Sequence, residues 1–79
     1  MYQVYVLKSL NRNYIYIGLT NNLERRIQQH QEGKSSTTRS YRPFNIVLVQ
    51  EFESRLEARN KEKYLKSGSG REWIKSQIN

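Results

Sequence analysis

Two short stretches rich in β-branched and aromatic residues open the chain, Tyr2 to Lys8 and Tyr14 to Leu19, separated by the turn-forming run Ser9-Leu10-Asn11-Arg12-Asn13. The pattern predicts a β-hairpin. Residues directly opposite in an antiparallel pair share a face, and a slip of one residue exchanges the faces. Pairing Lys8 with Asn13 sets Val4 against Ile17 and Val6 against Ile15, which gathers the aliphatic side chains on one side. The same register places Tyr5 opposite Tyr16 on the other face. A slip of one would set the valines against Tyr14 and Tyr16 and scatter the aliphatic face, so the first pairing is expected.

Asn21-Asn22-Leu23-Glu24 has the form of a helix N-cap with an acid three residues on, and Leu23, Ile27 and His30 follow at helical spacing. A helix is expected from about Asn22 to Gln31, ended by Gly33. Gly33 to Tyr41 is polar and basic and reads as a mobile loop. Phe44 to Phe52 is a third strand, apolar at its centre as expected for a strand covered on both faces. Ser54-Arg55-Leu56-Glu57 is a capping box opening a second helix, which Gly68 closes. Ser69-Gly70-Arg71-Glu72 repeats the start signal for a short last helix carrying Trp73, Ile74 and Ile78. The order is ββαβαα: an α+β fold, a small three-stranded antiparallel sheet flanked by helices, expected as a single domain over residues 1–79 with no repeat or low-complexity tract.

Composition narrows the classes of function. Seventy-nine residues lie near the lower size at which a hydrophobic core sustains itself, and no cysteine is present for a disulfide, a thiolate metal site or nucleophilic catalysis. No apolar run approaches the roughly 20 residues of a membrane span, and Met1 to Lys8 lacks the layout of a secretion signal, so a soluble cytoplasmic protein without a membrane partner is expected. Fourteen Lys and Arg stand against seven acids, all Glu, for a net charge of +7. That excess suits a polyanionic partner, although charge alone also serves solubility.

The chain has no Ser/His/Asp set, no paired-carboxylate motif and no phosphate loop. What remains is a group of polar aromatics, bases and one helix carboxylate. Tyr5 and Tyr16 stand on one face of the hairpin, where packing with wetted hydroxyls is the commoner use of tyrosine. Arg26 and His30, four apart, flank the Leu23/Ile27 stripe. A guanidinium there offers bidentate donors to a phosphate, and an imidazole can move a proton near neutral pH; the plainer alternatives are a solvated helix charge and a last-turn residue favouring the helix dipole. Glu62 lies between Ala58 and Leu65, near the buried stripe of the second helix, as a hard oxygen ligand for Mg²⁺ or Mn²⁺ or as an i,i+4 partner of Lys66. Arg39, Tyr41 and Arg42 before the third strand, with Lys66, are candidates for nucleic-acid backbone or stacking contacts.

At these residues the sequence resembles the GIY-YIG endonuclease domain. Val4-Tyr5-Val6 sits where the first motif's Ile-Tyr is expected, and Tyr16-Ile17-Gly18 is the second motif intact. Tyr16 to His30 is particularly close, with the family arginine on Arg26 and its frequent histidine on His30. Glu62, in Glu62-Lys63-Tyr64-Leu65-Lys66, looks like the metal-binding glutamate. Lys66 to Trp73 follows the Lys-Ser-Gly-x-Gly-Arg-Glu-Trp pattern of the short, stand-alone, excinuclease-like branch of that superfamily. Gln3 takes the first motif's glycine position, and Leu19 stands where a basic or small residue often follows the second motif.

The resemblance implies a metal-dependent endonuclease acting on DNA, in repair or recombination. Tyr5 or Tyr16 would help deprotonate the attacking water, Arg26 would stabilise the phosphorane-like charge, and Mg²⁺ or Mn²⁺ on Glu62 would stabilise the leaving 3′-oxygen. An unperturbed tyrosine, with a pKa of ~10, is a poor base, so Arg26 and the metal must lower it or His30 must accept the proton. The alternative is a non-catalytic DNA-binding module retaining the fold; a protein-interaction domain ranks last. With so little surface for reading bases, selectivity for DNA structure, with a protein partner adding specificity, is expected over a long recognition sequence.

Overall fold

A computed structural model of the chain describes residues 1–78. It contains β1 (Tyr2–Ser9), β2 (Ile15–Thr20), α1 (Leu23–Glu32), a 3₁₀ turn (Arg39–Tyr41), β3 (Phe44–Phe52), α2 (Arg55–Lys66) and α3 (Gly68–Ile78). The sheet is antiparallel in the order β2-β1-β3, so the expected α+β architecture is present.

The two faces of the sheet are chemically distinct, as the alternation along β1 dictates. Val4, Val6 and Ile17 meet Ala58 and Leu65 of α2 and Ile74 of α3 in an aliphatic layer. Each fully buried Val, Leu or Ile side chain here contributes roughly 1.5–3 kcal/mol. Tyr5, Leu7 and Phe44 face the other way and pack with Tyr14, Tyr16, Tyr41 and with Leu23 and Ile27 of α1. The tyrosines gather in that second layer.

The hairpin register differs from the expected one by two residues. Tyr5 pairs with Gly18, Val6 with Ile17, Leu7 with Tyr16 and Lys8 with Ile15. A shift of two leaves every side chain on its own face, so burial does not discriminate between the two registers. Two local features do. The Ser9 hydroxyl accepts from the amides of Asn11 and Arg12 at 3.3 and 3.1 Å, and the Ser9 amide donates to the Tyr14 carbonyl, which lengthens the loop. Gly18 supplies the space taken by the Tyr5 ring: a Cβ there would lie 2.5 Å from Tyr5 Cζ and Oη.

Strand β3 is not covered on both faces. It is an edge strand, with β1 at the centre of the sheet, and its Ile46 and Val49 are exposed. Helix α1 is capped by Asn22, one residue later than the Asn21–Glu24 pattern suggests, and the Asn22 side chain accepts from the Arg25 amide. Gly33 closes α1 in the left-handed conformation, as expected. Ser54 caps α2 as predicted. Gly68 does not end α2: Ser67 is its C-cap, and the Ser67 hydroxyl accepts from the Gly70 amide to start α3, two residues before the predicted Ser69 start. Gly70 is consumed by close packing instead, since a Cβ there would strike the Tyr64 carbonyl oxygen and lie 2.5 Å from Leu65 Cα.

Candidate active site

The tyrosine layer brings four of the predicted site residues together. Tyr5 comes from the central strand, Tyr16 from β2, and Arg26 and His30 from one side of α1, where their i,i+4 spacing makes them neighbours. The Tyr5 and Tyr16 ring centroids are 6.1 Å apart, and His30 lies 5.9 Å from Tyr5 and 4.8 Å from Tyr16. Phe44 closes the back of the imidazole with an edge contact. The two tyrosines are therefore neighbours on one face although not directly opposite.

His30 is completely buried and bonded at both nitrogens: Nε2 is 3.0 Å from the Tyr5 hydroxyl and Nδ1 is 2.8 Å from the Thr38 hydroxyl. Burial and the nearby Arg26 charge lower its pKa, so the ring is neutral, with one nitrogen donating and the other accepting. Tyr5, itself 1% exposed, has a raised pKa: burial is the leading cause and the Tyr16 charge adds to it, while Arg26 acts in the opposite sense. Tyr5 donating to Nε2 leaves Nδ1–H to donate to Thr38; an ionised Tyr5 requires the other tautomer. The three residues thus form a buried Tyr-His-Thr hydrogen-bond chain. Arg26 has burial against its charge, but the two tyrosine hydroxyls outweigh that and hold it firmly cationic. The Arg26 guanidinium also donates to Gln29 Oε1 at 2.9 Å. Of the two tyrosines, Tyr16 is the half-buried one and lines an open cleft.

Thr38 carries no signal in the sequence that marks it as part of a site. The Gly33–Tyr41 segment read as a mobile loop is a hydrogen-bonded structure, in which the Ser35 carbonyl accepts from the Thr38 and Arg39 amides and turns Thr38 inward. The side chains of Arg39 and Arg42 donate to the Gly33 and Glu32 carbonyls at 3.1 and 2.7 Å, so both tie the loop to the C-terminal end of α1. Gln31 adds two bonds to the Phe44 backbone. Tyr41 stacks on Tyr14, with ring centroids 3.8 Å apart and planes at 9°. These contacts order the side chains of Arg39, Tyr41 and Arg42, of which Arg39 and Arg42 stay exposed to solvent.

Glu62 belongs to the opposite layer. Its side chain is only 14% exposed, in keeping with its place beside the Ala58–Leu65 stripe, and its carboxylate pairs with Lys66 at 3.2 Å and Arg59 at 3.8 Å. The described residues contain no group of three His, Cys, Asp or Glu side chains arranged for a metal. The donor set fits a cation held by one carboxylate, with waters and substrate oxygens completing the shell, as Mg²⁺ commonly is. Binding there requires Lys66 and Arg59 to give up their share of the carboxylate.

The buried neutral imidazole sets a pH dependence. In the unfolded chain His30 takes a proton near its ordinary 6.5, whereas the folded site resists it to lower pH. The contribution is therefore complete above that value and is lost as pH falls below it toward the depressed folded pKa, by up to ~1.4 kcal/mol per pH unit. Urea unfolding is expected to show a lower midpoint at pH 5.5 than at pH 7.5, and His30→Gln to flatten that difference. Equal wild-type midpoints would contradict a buried neutral His30.

Comparison with known proteins agrees with the fold. The sequence pattern of the GIY-YIG catalytic domain matches residues 1–76. The UPF0213 protein of Oceanobacillus iheyensis is 39% identical over 80% of this chain and 73% of its own length, and that of Clostridium perfringens 40% identical over 84% and 71%. The solution NMR structure of the UPF0213 protein BH0048 from Bacillus halodurans is 34% identical, with a TM-score of 0.58 over 96% of this chain and 84% of that one. No helix of the described residues is long and apolar enough to cross a membrane.

Proposed function

This chain belongs to the GIY-YIG catalytic domain family, a superfamily of nucleases, and from that premise we propose that it is a metal-dependent endonuclease that hydrolyses phosphodiester bonds in DNA. The observation that carries the reading is the joining of Tyr5, Tyr16, Arg26 and His30 in one layer, with a cationic guanidinium beside two phenols and a neutral imidazole behind them.

The roles follow from accessibility. Tyr16, on the cleft, meets the attacking water and holds its proton-bearing atom in place. Tyr5 and His30 are too buried to touch substrate; with Thr38 they fix the orientation of the cluster. Arg26 supplies fixed positive charge where the phosphate gains negative charge. Glu62 is the carboxylate that would hold Mg²⁺ or Mn²⁺, which supplies Lewis-acid stabilisation of the leaving oxygen when bound. The net charge of +7 draws a polyanion to the cleft. A role in DNA repair, action in the cytoplasm and a protein partner adding specificity accompany this reading.

The Lys66 and Arg59 contacts to Glu62 favour a second reading, a DNA-binding module that keeps the fold without cutting. Cleavage of single-stranded, duplex, branched and RNA substrates with Mg²⁺ or Mn²⁺ separates the two. The nuclease reading expects metal-dependent product from wild type and at least a ~100-fold loss in Glu62→Ala, taking the scale for a lost transition-state contact. Salt-dependent binding with no product under either metal would select the second reading.

A further inference from the structure

A cleft of about 360 Å³ opens along the β2 edge, lined by Asn13, Tyr14, Tyr16, Ile17, Lys66 and Arg71. It joins three kinds of group. Tyr16 belongs to the cluster described above. Lys66, at the end of α2, and Arg71, on α3, bring two cations to one side; the Arg71 guanidinium also donates to the Lys66 carbonyl at 3.3 Å, which fixes the corner they share. Tyr14 has one ring face covered by Tyr41, and Arg12 lies over Tyr41 at 5.8 Å, so the Tyr14 that lines the cleft belongs to an aromatic stack.

Cations and an aromatic surface in one concavity match the two chemical halves of a nucleotide. The volume lies at the small end of ligand sites and accommodates one nucleotide unit, not a duplex. Stacking on a side chain also needs a base that is free of its neighbours. We propose that this cleft is a subsite for one unpaired nucleotide flanking the scissile phosphate, its phosphate held by Arg71 with help from Lys66, which also pairs with Glu62 at 3.2 Å, and its base against Tyr14. The assignment rests on the nuclease reading and deepens it, and its chemical consequence is selectivity for single-stranded or frayed DNA. Tyr64 and Trp73, exposed with Lys61 over both rings, are the competing aromatic platform elsewhere on the surface.

The test is binding without turnover, by fluorescence anisotropy in EDTA with a labelled hexathymidylate and a six-residue abasic strand of equal charge. Wild type is expected to prefer the base-bearing strand. Tyr14→Leu should weaken that strand about tenfold, the scale of one lost base–aromatic stack, and leave the abasic strand unchanged, while Tyr14→Phe behaves as wild type. Arg71→Gln should weaken both strands alike and reduce the salt slope by about one. Amide chemical-shift mapping on the wild-type protein covers the case in which Tyr14→Leu misfolds: shifts should fall on residues 13–17, 66 and 71. Shifts centred on Tyr64 and Trp73, equal wild-type affinity for the two strands, or a base preference that survives in a folded Tyr14→Leu would overturn the subsite. Because EDTA removes metal from the assay, the subsite can stand if the chain never cleaves, and cleavage can stand if the subsite fails.

Discussion

Arg26→Ala is expected to lower metal-dependent cleavage by about 10²- to 10³-fold, the loss typical of removing a preorganised transition-state donor. Arg26 is a firmly cationic group facing both tyrosine hydroxyls, and its i,i+4 position relative to His30 holds it at the edge of the tyrosine layer. Its removal leaves the developing phosphate charge without fixed compensation. The fold should survive, because the apolar contacts of α1 come from Leu23 and Ile27, whereas Arg26 contributes polar contacts to Gln29 and the tyrosine hydroxyls. Arg26→Lys should recover part of the rate, since an ammonium supplies the charge without the planar fork. Single-turnover rates beside thermal unfolding curves check both points; a normal rate in a folded Arg26→Ala protein would remove Arg26 from the chemistry.

The largest stability effect is expected at Gly70. A Cβ there overlaps backbone atoms of Tyr64 and Leu65 at the turn between α2 and α3, and backbone does not yield as a flexible side chain does. Gly70→Ala is therefore expected to cost about 3 kcal/mol, at the upper end of overpacking effects, and to lower Tm by on the order of 10–20 °C in a domain of this size. Gly68, two residues away, has open space around it, so Gly68→Ala should change stability by under ~1 kcal/mol. Thermal unfolding of the pair separates close packing from helix propensity; equal Tm values would contradict the role given to packing at Gly70.

Much of the site was legible in the sequence because it rests on periodicity. Alternation along β1 and β2 assigns Tyr5 and Tyr16 to one face, and the four-residue spacing assigns Arg26 and His30 to one side of α1; both hold. Periodicity also fails in identifiable ways. A two-residue shift preserves faces, so the hairpin register depends on the space at Gly18 and the Ser9 turn, which a hydropathy pattern does not register. An apolar run does not encode what covers it, and β3 therefore read as covered on both faces although Ile46 and Val49 are exposed. Thr38 sits in a run of four serines and threonines, and only the free nitrogen of a buried imidazole selects one of them. Gly68 and Gly70 look alike as punctuation, whereas one is open and the other is pressed against backbone.

The functional reading depends on two elements that different layers of the fold supply: the tyrosine–arginine cluster under α1 and the Glu62 carboxylate on α2. The most direct measurement is nicking of DNA by wild type and by the Arg26→Ala/Glu62→Ala double variant, with Mg²⁺ or Mn²⁺ and with EDTA, on protein shown to be folded. Metal-dependent product is expected from wild type alone. Cleavage by the folded double variant at the wild-type rate, or none by wild type on any substrate, would contradict the assignment of these residues to phosphodiester hydrolysis.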